Sequence, residues 1–200
     1  MKLIIASNNA HKTAEIKAIL GGYFDEVLSL KEAGLDIDVV EDGDTFEANA
    51  LKKATEVLRI SGADAALSDD SGLMVDALHG APGVYSARYA GEGHDDAANN
   101  EKLLAAMRDV PDEARTCRFV SAVALARKRM EAILVRGSVE GTLLHANAGE
   151  NGFGYDPLFY YAPLDKSFAQ MSAAEKNGVS HRKRALMALR DALETEKRGA

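Results

Sequence analysis

"LSDDSGLMV", residues 67–75, sets two neighbouring carboxylates between two apolar runs. Leu67 and the alanines before it read as the end of a buried strand, and Leu73 to Val75 as the start of another. Aspartate is a poor strand residue and is costly to bury without a partner. The stretch predicts strands near 65–69 and 73–78 and a backbone turn at Ser71-Gly72; Asp69 and Asp70 at the strand end either carry a function or simply build an Asp-Ser-Gly turn.

Working outward, residues 2–7 read as a buried strand and "HKTAEIKAIL" as a helix closed by Gly21-Gly22. "DEVLSL" and "IDVVE" read as strands. "DTFEANALKKATEVLRI" reads as a helix with Asp44 as N-cap and Phe46, Ala50, Ala54 and Leu58 on one face. A Gly/Pro-rich loop, "HGAPGVYSARYAGEG", leads to a helix over 95–108, and two or three strands occupy 116–143. A last helix, about 180–196, carries Leu186, Leu189 and Leu193 on one face. No repeat or linker divides the chain, so the alternation predicts an α/β domain over 1–200 around a mixed sheet.

The 200 residues can bury a substantial core, and 46% apolar with 28% charged residues is an ordinary balance for a soluble domain. Lys and Arg number 24 against 31 acidic residues, a net charge of −7. That balance speaks against nucleic-acid polymers and anionic membranes as partners, while leaving room for a small anion held by a few local cations. The single cysteine, Cys117, lies in an expected strand as a buried thiol, and its solitude fits a reducing cytoplasm. No signal-peptide pattern or membrane-spanning run is present.

Four stretches can carry chemistry. "ASNNAHK", which spans Ser7, Asn8, Asn9, Ala10, His11 and Lys12, joins the first strand to the first helix. Free backbone N–H groups at a helix start favour an anion, and Lys12 adds charge; a plain N-cap is the alternative. In "EDGDTFEANALKKA", Glu41 ends the expected strand and Lys53 lies along the helix. With Asp70, Glu41 could hold a hard divalent cation such as magnesium, which takes oxygen ligands; an acidic residue that merely suits the helix start is the alternative. Successive strand residues point to opposite faces, so only one of Asp69 and Asp70 faces such a metal easily. "GENGFGYDPLF", residues 149–159, combines close-approach glycines with Phe153 and Tyr155 as flat faces for a base, or forms a core hairpin turn. "EKNGVSHRKRALMAL" gathers Lys176, His181 and Arg182 at a helix start, where cations are disfavoured unless an anion or polar ligand is present; a solvated basic run is the alternative. HExxH, paired CxxC and G-x-S-x-G motifs are all missing from the chain.

Taken in order, S-N-N-x-x-K, E-x-G-x-T-F, D-D-S-G-L, G-F-G-Y-D-P and S-H-R resemble the inosine/xanthosine triphosphate pyrophosphatases, also called Ham1-like proteins, over residues 3 to about 193. The resemblance implies a two-lobed α/β fold with a long central mixed sheet, an active site in the cleft between the lobes, a homodimer and magnesium dependence. It implies hydrolysis of ITP, dITP or XTP to the monophosphate and pyrophosphate. By position it assigns Ser7 to Lys12, with Lys53, to the triphosphate. Glu41 and Asp70 fall to magnesium, with Asp70 as general base and Ser71 touching substrate. Phe153, Gly154, Tyr155, Asp156, Lys176, His181 and Arg182 fall to the nucleoside. Ser7 stands where the family often has Thr, and the family's Glu-Asn-Ala reads Ala48-Asn49-Ala50 here, with the glutamate at Glu47. A non-catalytic nucleotide sensor and a pyrophosphatase for modified pyrimidine triphosphates are the competing readings.

Overall fold

The computed structural model describes residues 1–199, with His11 described by its backbone alone. Among the described residues, seven strands form one sheet in the order β2-β1-β3-β4-β5-β6-β7. They are β1 (Lys2–Ile5), β2 (Glu26–Ser29), β3 (Ala65–Val75), β4 (Thr116–Arg127), β5 (Met130–Leu143), β6 (Phe159–Tyr161) and β7 (Lys166–Ser167). The helices are α1 (Ala10–Leu20), α2 (Phe46–Ser61), α3 (Asp96–Ala106), α4 (Ala173–Val179) and α5 (His181–Gly199). β1 runs parallel to β2 and β3, whereas β5, β6 and β7 pair antiparallel, so the sheet is mixed. The parallel pairs need crossovers, and α1 and α2 supply them.

The chain divides into two compact units. The first comprises Met1–Asp70, Ser121–Gly137 and Arg182–Ala200. Its core lies on both faces of β1 and β3. Leu3, Ile5, Ala65 and Leu67 pack with Ile16 and Leu20 of α1 and with Ala185, Leu186 and Leu189 of α5. Ile4 and Ala66 face the other way, onto Val57 of α2, Leu30 and Val39. Alternation along a strand buried on both sides explains why residues 3–6 read as one apolar run. Burying a leucine such as Leu186 completely contributes about 2–3 kcal/mol.

The second unit comprises Ser71–Val120 and Ser138–His181. Leu73, Val75, Leu103, Met107, Phe119, Phe159 and Phe168 build its core, with the Phe119 and Phe159 rings 4.7 Å apart. Arg115 is fully buried and donates to the carbonyls of Met107, Leu143 and Leu144 at 2.7, 2.8 and 2.9 Å. A cation at the C-terminal end of α3 suits the helix dipole. Cys117 is buried too, and burial pushes its thiol up to about 12, which leaves it inert at neutral pH.

Three expectations are corrected. Residues 35–43 form neither helix nor strand, so "IDVVE" is not a strand and Glu41 does not end one. Val39 is buried and Val40 is 70% exposed, so the alternation exists without a ladder partner. Thr45, not Asp44, caps α2, its Oγ1 accepting from the Ala48 N–H at 3.1 Å. Most consequentially, β3 is continuous from Ala65 to Val75, so Asp69 to Gly72 lie within a strand and not at a turn. Gly72 answers a different need. A Cβ there would meet Ser86 Oγ at 2.3 Å and the Gly83 carbonyl at 2.6 Å. The bare backbone admits the 3-10 segment Gly83–Arg88, and the Leu73 N–H donates to Ser86 Oγ at 2.9 Å.

Candidate active site

In the first unit, the residues between β1 and α1 form an Asn-capped helix start. The Asn9 N–H donates to Ser7 Oγ at 3.1 Å, and Asn9 Oδ1 accepts from the Lys12 N–H at 3.1 Å. Asn8, Asn9 and Ala10 are exposed, which leaves this helix start open to solvent at the end where the dipole favours an anion. The side chain of His11 lies outside the described residues.

Lys12 Nζ sits 3.2 Å from Asp69 Oδ2. Arg182 Nε donates to the same oxygen at 2.9 Å, and an Arg182 terminal nitrogen lies 3.8 Å from Glu15. The Asp69 side chain is 2% exposed. Burial alone would raise its pKa, but the charges of Lys12 and Arg182 outweigh it and hold the carboxyl well below the usual carboxylate range. Arg182, which the sequence groups with the nucleoside pocket, thus directs its guanidinium to Asp69 and Glu15.

Asp70 points elsewhere. Asn49 Nδ2 donates to Asp70 Oδ2 at 3.0 Å, while Asn49 Oδ1 accepts from the Gly43 N–H at 2.7 Å. Two residues before Gly43, Glu41 pairs with Lys53 Nζ at 2.5 Å. Lys12 thus pairs with Asp69 on one face of β3, while the next residue, Asp70, on the other face, is joined through Asn49 to Gly43, two residues after the Lys53-paired Glu41. The structure pairs Lys12 with Asp69 and Lys53 with Glu41, and it gives Asp70 a bond from Asn49. It adds Asn49, which sequence reasoning missed. The signal was present: Asn49 lies three residues after Phe46 on the apolar face of α2, where a polar residue at 2% exposure needs partners.

In the second unit, Ser71 is half-buried within β3. The Phe153 N–H donates to Asp156 Oδ2 at 2.8 Å, and Lys176 Nζ pairs with the same oxygen. Lys176 Nζ also lies 4.5 Å from the centre of the Phe153 ring, so Asp156 and Lys176 together fix a ring that remains 54% exposed. Gly154 is clamped by Asp96, which accepts from its N–H at 2.7 Å, and by Asn100, which donates to its carbonyl at 2.9 Å. Tyr155 is different: it is 4% exposed within the core, its hydroxyl donating to the Ser86 carbonyl at 2.8 Å, and burial pushes that hydroxyl's pKa up. Of the two rings, only Phe153 offers a face to a ligand. His181, 7% exposed, stacks on Phe119 with ring centres 5.0 Å apart and planes 17° from parallel.

Magnesium takes oxygen donors, commonly one or two protein carboxylates completed by water and substrate phosphates. Glu41 and Asp70 fit that donor set. Among the described residues no group of three or more His, Cys, Asp or Glu gathers as a transition-metal cage would require.

The family model of the Ham1 family matches residues 3–192. A Clostridium perfringens protein named dITP/XTP pyrophosphatase is 50% identical over 197 residues, covering 96% of this chain and 97% of that one. The solved structure of the Staphylococcus aureus Ham1 protein superposes with a TM-score of 0.89 at 42% identity, covering 98% of this chain and 100% of that chain. A Mycobacterium abscessus crystal structure titled nucleoside-triphosphatase, dITP/XTP pyrophosphatase gives 0.79 at 45% identity, over 94% and 98%. A match across nearly all the residues that build both units carries one conclusion: the chain belongs to the Ham1 family.

Proposed function

We propose that this protein hydrolyses non-standard purine nucleoside triphosphates, ITP, dITP and XTP, to the nucleoside monophosphate and pyrophosphate. The observation that carries the reading is that Asn49 in the first unit ties Asp70 to Gly43, two residues after Glu41, whose carboxylate pairs with Lys53. Carboxylates held beside a lysine in this way suit a polyanion handled together with a divalent metal. The Clostridium perfringens relative's name, dITP/XTP pyrophosphatase, points to the same substrates.

In this reading the N–H groups at the start of α1, with Ser7 to Lys12 and Lys53, hold the triphosphate. Glu41 and Asp70 hold magnesium, which when bound neutralises phosphate charge and acidifies water. Asp70 takes the proton from the attacking water, and Ser71 contacts substrate. In the second unit Phe153 stacks on the base, with Gly154, Tyr155, Asp156, Lys176 and His181 shaping that support. The protein works in the reducing cytoplasm as a homodimer, the assembly the family resemblance implies; light scattering checks the latter.

A nucleotide sensor would not benefit from carboxylates beside a phosphate site, since they add repulsion unless a metal is handled. A turnover panel separates the readings. We expect kcat/KM for ITP, dITP and XTP well above that for ATP and for modified pyrimidine triphosphates. Preference for a pyrimidine would redirect the proposal, and binding without turnover would end it.

A further inference from the structure

We infer that Asn49 is a positioning residue, whose side-chain amide sets the Glu41–Gly43 segment and Asp70 in register before a metal arrives. The inference rests on the reading that Glu41 and Asp70 hold a divalent cation. Its support is geometric. Asn49 is 2% exposed and sits on the first turns of α2, whose start is anchored by the Thr45 cap. Its planar amide is used at both ends. The oxygen accepts from Gly43 N–H at 2.7 Å, and the nitrogen donates to Asp70 Oδ2 at 3.0 Å. One rigid group therefore ties an irregular segment, which lacks a strand ladder of its own, to a carboxylate on β3.

The requirement is specific to an amide of this length. A carboxylate could accept from Gly43 but could not donate to Asp70, and it would add like charge beside it. Leucine matches the shape and makes neither bond. The donated bond orients Asp70 without neutralising it, because the amide is uncharged. Gly43 completes the device: a Cβ there would lie 2.7 Å from Asn49 Oδ1 and 3.0 Å from the Ala48 Cβ, so any side chain at 43 pushes on the amide. Polar groups that orient metal-binding carboxylates commonly cost 10–100-fold in metal affinity when removed.

The test uses Mn2+ as the probe, titrated by electron paramagnetic resonance into the nucleotide-free full-length protein. Asn49→Ala and Asn49→Leu should weaken Mn2+ binding by about 10–100-fold while circular dichroism and a thermal melt show a folded chain. Gly43→Ala should weaken it in the same direction, although it leaves Asn49 in place. A purely structural asparagine would lower the melting temperature and leave metal affinity alone. Folded Asn49 variants with affinity within about twofold of the parent would overturn the inference. Should neither Asn49 variant fold, unchanged affinity in Gly43→Ala overturns it instead. Glu41→Gln and Asp70→Asn serve as controls. If they leave Mn2+ binding unchanged, the carboxylate reading falls and this inference with it. If they weaken binding while the Asn49 variants do not, only the positioning role falls.

Discussion

Arg182 Nε donates to Asp69 Oδ2 over 2.9 Å, and both side chains are more than nine-tenths buried. Lys12 Nζ reaches the same oxygen at 3.2 Å. Asp69 is therefore the counter-charge that holds Lys12 and the first turn of α5 together. Asp70, on the opposite face of the strand, is left to Asn49. Two adjacent aspartates divide into one that is paired with buried cations and one that accepts from a neutral amide.

Removing the support should cost stability. Asp69→Asn leaves two buried or half-buried cations facing a neutral amide, and breaking such a pair costs about 3–5 kcal/mol. The folded carboxyl is held below its ordinary pKa of 3.8. Its stabilisation is thus complete above that value and fades as pH falls through the folded pKa. Urea unfolding near neutral pH should show the full deficit, and the gap between parent and variant should narrow in strong acid. A gap that widens on acidification contradicts this assignment.

Arg182 is expected to act through Asp69 and not by reading the base. In Arg182→Ala, kcat/KM for ITP and ATP should fall together, their ratio moving by less than about threefold, a difference of roughly 0.6 kcal/mol. Steady-state kinetics with both nucleotides decides it. A loss confined to ITP would return Arg182 to the nucleoside pocket.

Asp70→Asn keeps the size of the side chain and removes both the charge and the base. Turnover should drop by about 10²–10⁴ at saturating magnesium, with the unfolding midpoint little changed. Retention of most activity would remove Asp70 from the chemistry.

The two rings of the glycine loop should separate cleanly. Stacking a base on an aromatic ring contributes about 1–3 kcal/mol, so Phe153→Ala should lose roughly 5- to 150-fold in kcat/KM for purine nucleotides. Tyr155→Phe, which removes only the bond to the Ser86 carbonyl, should lower stability by about 1 kcal/mol and leave nucleotide kinetics alone. The opposite pattern would exchange their roles.

Gly72 makes a purely steric prediction. Its Cβ would meet Ser86 Oγ at 2.3 Å, so Gly72→Ala should destabilise by about 1–3 kcal/mol, measurable as a lower urea midpoint. A neutral substitution would mean that the Gly83–Arg88 segment is not packed as described.

These residues also show where reading the sequence succeeds and where it stops. β1 and the apolar face of α2 are legible because burial on local periodicity is a property of neighbours in the chain. The Ham1 motifs are legible because they lie in short contiguous stretches. β3 is not: Asp-Asp-Ser-Gly is locally good turn chemistry. It is a strand laddered between its sheet neighbours, with Lys12 and Arg182, the latter 113 residues away, compensating Asp69, and Ser86 accepting from the Leu73 N–H. Long-range partners decide against local preference there. The same limit hides Asp69 as a partner of Arg182, because a basic run does not name its counter-ion. Asn49 was visible as a polar residue on an apolar face, yet its two partners lie on different segments that only folding brings to it.

The proposed reaction cleaves ITP between its α and β phosphates. Phosphorus NMR of the reaction with magnesium tests it most directly, because the two possible cleavages leave different products. IMP and pyrophosphate should appear in equal amounts, with neither accumulating in Asp70→Asn. Release of orthophosphate with IDP, or ITP bound and left intact by the parent protein, would contradict it.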